Sequence, residues 1–400
     1  GRAQWELHRG SRENRRMCIR ARLSSVPGLA RASPAPPSAG PLSQMLAMMP
    51  WARPASPWLD GAMLFRAADG TIVHYDPAGS GRDAVLDLFV APSRHGKSML
   101  ANALLLNTVL SPAAMTAHGA RVPLIGKLDV GDSSSGFVDM VRAGLRAADQ
   151  PLALHVPFQL IEEHAVNIFD PETCCRTPLE YHTTFRRNFL GLICTPIDGK
   201  PFESMNQLID AVIPAVYEFF SDEGPSVQPK VWRPGIDLTV DKELSRNRLA
   251  PERDTPWWQI ADLFADAGDM RMAHRATQWA APTIGDLIRV LREPRLQRFE
   301  DVTPTSGKES TIGIFRRYIT HFIDKYPSLN RPTRLDLGEA RIVVLDIGRV
   351  APEGIGESQR QTELMYLLGF HIVAKNFFLH PDDAESVPAH VRRYHRRRFE

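Results

Sequence analysis

An α/β fold with a mainly parallel sheet is predicted by three features of the sequence. The apolar run Val85-Leu86-Asp87-Leu88-Phe89-Val90 leads into the loop Ala91-Pro92-Ser93-Arg94-His95-Gly96-Lys97-Ser98 and then the amphipathic stretch Met99 to Leu106. A second strand, loop and helix follow in the same order: Pro123 to Val130, Gly131 to Gly136, and Phe137 to Ala147. Far downstream, Arg341-Ile342-Val343-Val344-Leu345-Asp346 returns to a strand pattern closed by an acid. Successive units of this kind build a parallel sheet whose loops meet a ligand at the carboxyl ends of the strands.

From the amino end, residues 1–57 are rich in Arg, Ala, Ser and Pro, with Pro34, Pro36 and Pro37 clustered and no sustained period. They read as linker or disorder, because too little apolar surface is available to offset chain entropy. A core segment is expected over 58–179. It opens with Ala62 to Arg66 and Thr71 to Tyr75 flanking Asp69-Gly70, a hairpin signal.

The loop ending in Gly96-Lys97-Ser98 has the form of a phosphate-binding loop. Backbone N–H groups at a fresh helix N-terminus point at phosphate oxygens, Lys97 supplies a cation and Ser98 a hydroxyl for Mg2+. The nucleotide-binding set is Ala91, Arg94, His95, Gly96, Lys97, Ser98 and Met99. Ala91 stands where such loops usually begin with glycine, a residue that reaches positive φ freely. The plainer alternative is a strand-to-helix turn that carries Gly-Lys-Ser by chance.

His155 to Phe158 and Val166 to Phe169 add short strand candidates. Segments 180–195, 203–220, 256–292 and 309–326 carry apolar residues at helical spacing, so 180–335 reads as a mainly helical insertion. The core resumes over 336–380. There Asp346 closes an apolar strand in the manner of a Walker B acid, placed to hold the water shell of Mg2+ beside Ser98. Gln361 to Leu379 reads as a final amphipathic helix, and 381–400 as a basic tail.

Composition is that of an ordinary globular protein, 43% hydrophobic and 24% charged. A net charge of +2 gives no global field for nucleic acid or an anionic membrane. The basic cluster Arg392, Arg393, His395, Arg396, Arg397 and Arg398 reads as a solvated helix end. Cys18, Cys174, Cys175 and Cys194 show neither a disulfide framework nor zinc spacing, which fits a reducing compartment. No stretch reaches spanning length, so membrane association is expected only through partners. The chain opens on Gly1 rather than Met and closes on the basic run, the pattern expected of a piece of a longer protein.

Several segments together resemble the type IV secretion and conjugation ATPases of the IcmB/DotO/TraU branch. They are Gly61 to Arg66 with Asp69-Gly70, Ala91 to Leu106, Leu128-Asp129-Val130-Gly131-Asp132-Ser133-Ser134-Ser135-Gly136, and Val166 to Asp170 with Cys175 to Leu179. Trp257-Trp258, Tyr326-Pro327, Arg331 to Arg334, Ala340 to Asp346 and Arg360 to Tyr366 complete the set, which spans about 58–380. The resemblance implies a RecA-like motor core with a helical insertion, hydrolysing ATP with Mg2+. It also implies a cytoplasmic hexamer held at the inner membrane by secretion or conjugation proteins. By position, Gly96, Lys97 and Ser98 would cradle phosphates, Lys97 and Asp346 would be catalytic, and Ser98 and Asp346 would hold the metal.

One departure bears on catalysis. Family members carry a further acid shortly after the Walker B Asp, whereas this chain has Ile347-Gly348-Arg349 before Glu353. The water-polarising carboxylate is missing, displaced to Glu353, or supplied by Asp129, which could equally cap the following helix. Two other functions remain open: a nucleotide-stabilised assembly module that does not hydrolyse, and a DNA-pumping ATPase of related fold, which would need a basic pore loop. Ser133 to Ser135 could contact phosphate or form a solvated turn, and Trp257-Trp258 could stack on bases or anchor packing.

Overall fold

The computed structural model describes residues 41, 43, 61, 63–66, 70–75, 88–90, 92, 95–110, 115–116, 119–131, 135–197, 199–200, 202, 204–304, 309–378 and 381–399. The proposed linker over 1–57 lies outside them apart from residues 41 and 43, as do Cys18, Ala91, Arg94 and Asp132 to Ser134. Two units are distinguished, residues 1–60 with 65–75, and residues 61–64 with 76–400. Strands β1 (Met63–Arg66) and β2 (Ile72–Tyr75) form a two-stranded sheet, with the Phe65 ring edge-on to Tyr75 at 5.5 Å.

In the larger unit, helix α1 (Lys97–Leu110) and the short strands β3 (Met115–Thr116) and β4 (Gly119–Ala120) precede β5 (Ile125–Asp129). Helix α2 (Ser135–Gly144) and β6 (Ala153–Pro157) follow. The helical block comprises α3 (Glu180–Cys194), α4 (Met205–Phe220), α5 (Leu238–Arg246), α6 (Trp257–Asp266), α7 (Met270–Ala280), α8 (Asp286–Val290), α9 (Pro294–Gln297) and α10 (Thr311–Lys325). Strand β7 (Ile342–Asp346), α11 (Glu357–Ala374) and α12 (Arg392–Phe399) complete it.

β7 is the middle strand of a three-stranded sheet, parallel to β5 on one side and β6 on the other. A strand buried on both faces reads as a continuous apolar run, and β7 alternates its side chains between two cores. Ile342 and Val344 join Ile125, Phe137, Val138, Val141 and Ala153, a cluster on which Leu105, Leu106 and Val109 of α1 pack. Val343 and Leu345 enter the larger core with Phe189, Ile209, Phe315 and Leu368, so α11 and the helical block cover the opposite face. The helical block is therefore continuous in packing with the sheet. A further cluster holds Trp257 and Trp258 fully buried, with Trp257 stacked on Trp279 at 5.6 Å and Trp258 Nε1 donating to the Phe220 carbonyl at 2.8 Å. Their location is that of packing anchors.

Three local expectations are corrected. Residues 88–90 of the expected phosphate-loop strand belong to no strand, and Leu88 and Val90 are 85% and 84% exposed, so these residues bury no apolar face that would hold them in the sheet. Residues 85–87 lie outside the described residues. Val166 to Phe169 are buried but form a turn, because Asn167 accepts from the Phe169 N–H through Oδ1 and donates through Nδ2 to the Pro282 carbonyl. The last long helix begins at Glu357 and ends at Ala374, followed by a 3-10 turn from Lys375 to Phe378.

The basic cluster is also corrected in part. His395 is fully buried, its Nε2 at 3.1 Å from the Thr173 carbonyl, and Arg398 donates to the buried Glu172 carboxylate. Arg392 and Arg396 reach Glu385 at the surface. Spacing of three along α12 puts Arg392, His395 and Arg398 on one face, which docks, while Arg393, Arg396 and Arg397 are exposed.

Candidate functional site

Helix α1 starts at Lys97, one residue after Gly96, whose φ of +80° is the left-handed conformation that glycine adopts without steric cost. The first intrahelical bond runs from the Leu100 N–H to the Gly96 carbonyl at 2.9 Å. The earlier N–H groups of the first turn therefore have no helical partner, and the positive end of the helix dipole adds to the Lys97 charge. His95, Gly96, Lys97, Ser98 and Met99 are all exposed at this end.

Lys127 Nζ donates to Asn102 Oδ1 at 2.8 Å and fixes how α1 lies on β5. Leu105, Leu106 and Val109 of the same helix pack against the cluster that holds Ile125, Ile342 and Val344. From Asn102, Ser98 lies one turn, about 6 Å, toward the helix N-terminus on the same face. From Lys127, Asp129 lies two residues, about 6.6 Å, toward the carboxyl end on the same strand face.

Asp129 and Asp346 are register partners at that end. By alternation Asp346 shares the face of Ile342 and Val344, the face that α1 covers. Its Oδ1 accepts from the Gly348 N–H at 2.8 Å and the Gly131 N–H at 3.2 Å, while Oδ2 makes no hydrogen bond to a described residue. The carboxylate is thus oriented by two backbone donors although it is only 7% exposed. Asp129 accepts from the Val130 N–H at 3.0 Å and its Oδ2 lies 3.7 Å from Lys127 Nζ.

The residues after Asp346 explain where a further acid could and could not stand. Ile347 is fully buried in the larger core, on the side of β7 away from α1. At Gly348 a Cβ would lie 3.0 Å from the Gly131 nitrogen and 3.2 Å from Asp346 Oδ1, so any larger residue crowds the carboxylate and the Gly131 backbone. Arg349 and Glu353 are exposed. The structure makes Asp129 and Asp346 register partners and ties α1 to β5 through Asn102 and Lys127; it shows no contact from Glu353 to either carboxylate.

No protein-family model matches the chain, and no curated protein is detectably similar to it. Among solved structures, VirB4 of Thermoanaerobacter pseudethanolicus aligns with 86% of this chain and 75% of that chain, at 15% identity and a TM-score of 0.43. No helix among the described residues is long and apolar enough to cross a membrane.

A cavity of 530 Å³ lies elsewhere, lined by Ile193, Tyr318, Phe322, Lys325, Tyr326, Arg360 and Leu364 among others, with no phosphate-loop residue in its wall. Cys174, Asp262 and His390 also converge, yet both Asp262 oxygens accept from Arg176, and burial with the neighbouring carboxylate pushes the Cys174 thiol up to about 12. That donor set suits an ion-pair network better than a cation.

A buried polar group escaped the sequence reading. Burial alone would raise the Glu172 carboxyl, but Arg398, with His182 and Lys375, holds it well below the ordinary carboxylate range. Burial lowers His182 to about 3 and His274 to about 4, and lowers His371 well below its usual value. Asp170 is raised to about 6 by burial. Glu172 and Arg398 lie too far apart in sequence for any local pattern to pair them.

Proposed function

We propose that this chain is the nucleotide-binding core of an ATPase that energises a type IV secretion or conjugative transfer apparatus. The observation that carries the nucleotide part is the hydrogen bond from Lys127 to Asn102, which ties α1 to the strand that ends in Asp129, the register partner of Asp346. On this reading the helix N-terminus opened by Gly96, with Lys97 and Ser98 in its first turn, faces the two adjacent strand-end carboxylates Asp129 and Asp346, which is supported by the tie between Asn102 of that helix and Lys127 of β5. This donor set fits a triphosphate with Mg2+: backbone N–H groups and Lys97 for phosphate oxygens, Ser98 and Asp346 for the metal and its water shell. Bound MgATP would supply the scissile phosphoanhydride and the metal charge. The chain's own part is to hold the phosphates at α1, fix the Asp346 carboxylate through Gly131 and Gly348, and present Asp129 beside it.

The secretion or conjugation setting rests on the family resemblance of the motif set. With it come the RecA-like core divided by a helical segment, the hexameric ring and the peripheral inner-membrane location through partners. A second reading, a nucleotide-stabilised assembly module, is favoured by one observation: the positions after Asp346 are a core isoleucine and a close-approach glycine. Calorimetric titration with ATP and Mg2+ tests the proposal. Lys97→Ala is expected to weaken binding by several kcal/mol, since it removes the fixed cation facing the β- and γ-phosphates. Equal affinity in both proteins would refute nucleotide binding at this loop.

A further inference from the structure

Lys127 sits in mid-strand on β5, on the face covered by α1, with its side chain 13% exposed. A lysine drawn this far from water is costly unless its ammonium is partnered. Three elements meet at it: Asn102 of α1 at 2.8 Å, the Asp129 carboxylate at 3.7 Å, and the Phe137 ring of α2 with its centroid 6.0 Å away. Asn102 is itself 6% exposed, so both ends of the hydrogen bond are withdrawn from solvent. Neither residue belongs to the phosphate loop or to the Walker B strand.

Resting on the nucleotide-binding reading above, we infer that Lys127 is a positioning residue that sets the phosphate-loop helix and the Asp129 carboxylate in one geometry, so that Asp129 orients the attacking water. The ammonium fixes the α1 face that carries Ser98 by way of Asn102, four residues on. The same cation restrains Asp129, two residues along the same strand face. Distance between the phosphate cradle and the carboxylate is thereby set by one side chain rather than by two loops. A carboxylate at this strand end also answers the absence of an acid directly after Asp346.

The reaction to follow is single-turnover ATP hydrolysis by the full 400-residue chain, alongside calorimetric nucleotide affinity. Lys127→Met keeps the aliphatic stem and removes both polar contacts. It is expected to slow hydrolysis about 100-fold while leaving the dissociation constant within about threefold, because a misplaced reacting group costs rate rather than ground-state binding. Asn102→Leu tests the same coupling without touching Lys127 and should slow hydrolysis at least about tenfold. Lys127→Arg should recover most of the rate, since the guanidinium reaches both partners. Unchanged rate in Lys127→Met, or in Asn102→Leu should the first variant fail to fold, overturns the positioning role. So does equal loss of affinity and rate, the mark of a purely structural contact. A wild-type chain that binds nucleotide but shows no hydrolysis overturns this role alone, whereas a wild-type chain that binds none overturns the functional reading as well.

Discussion

Replacing Asp346 by Asn separates the metal-holding role proposed for this side chain from its structural one. Asn retains an Oδ1 that accepts from the Gly131 and Gly348 N–H groups, which stand 3.2 and 2.8 Å from the native oxygen. Only the charge-assisted part of two hydrogen bonds is lost, and charged bonds are roughly twice as strong as neutral ones, so folding should weaken by only about 1–2 kcal/mol. Asp346→Ala leaves both donors without their acceptor and should cost about 2–5 kcal/mol. Against Mg2+ the two variants should behave alike, because each removes the negative charge beside the cation. The expected loss is about 10- to 100-fold in MgATP affinity, or about 1.4–2.7 kcal/mol, with affinity for metal-free nucleotide nearly unchanged. Calorimetry with Mg2+ and with EDTA reads the binding terms, and urea denaturation reads the folding terms. Wild-type MgATP affinity in Asp346→Asn would refute the assignment of this carboxylate to the metal, however stable the variant proved.

Other outcomes follow from the same geometry. Arg349→Glu places an acid on the exposed part of the turn and should raise hydrolysis about tenfold if a carboxylate after Asp346 is limiting, whereas Gly348→Asp should lower both rate and stability because its Cβ crowds Asp346 Oδ1. A rate rise in Gly348→Asp with unchanged denaturation would show that the turn is looser than its contacts imply. Acid should destabilise the fold before carboxylates are fully protonated. Unfolded histidines take up protons near pH 6.5, while His182 and His274 in the fold resist until about 3 and 4. The unfolded chain binds more protons in this window, so stability falls with pH at about 1.4 kcal/mol per unit per histidine, and His371 adds to the slope. Burial also lowers His395, and Asp170, raised to about 6, acts in the opposite sense between pH 6 and 3.8, one group against four. Urea midpoints at pH 7.5, 5.5 and 4.5 should decrease in order; a flat or rising series contradicts the buried-histidine account.

The parallel strands and the helix from Lys97 were legible because β5 and β7 are short strand-like runs ended by acids, and because Gly96-Lys97-Ser98 opens a stretch rich in apolar residues. Asp129 was legible only as a choice between water ligand and helix cap; its register with Asp346 depends on strand order, which no local pattern carries. Lys127 escaped notice since one lysine inside Ile125 to Asp129 hardly disturbs an apolar reading. Its signal was there: a charge two residues before an acid on a buried strand needs a partner from another element. Val166 to Phe169 misled because four apolar-rich residues read alike as strand or buried turn until the Asn167 side chain is seen closing on Phe169. Burial of His395 was hidden by its arginine neighbours, because composition averages over a helix whose two faces do different things.

Strand β7 gives the Asp346 carboxylate a mechanical setting. Successive residues are gripped from opposite sides, Ile342 and Val344 by the core under α1, Val343, Leu345 and Ile347 by the core under the helical block. Sliding the strand by one position would drive an acid into hydrocarbon and strand an isoleucine at the loop, so axial slip is forbidden by both cores at once. What stays permitted is motion of the strand as a stiff rod. A tilt of α11 or of the helical block against Val343 and Leu345 would carry Asp346 with it, and the Gly131 and Gly348 donors would pull the β5 and β7 turns along. Force applied to the helical side of the molecule therefore has a short, covalent route to the face that α1 covers, through the five residues of one strand.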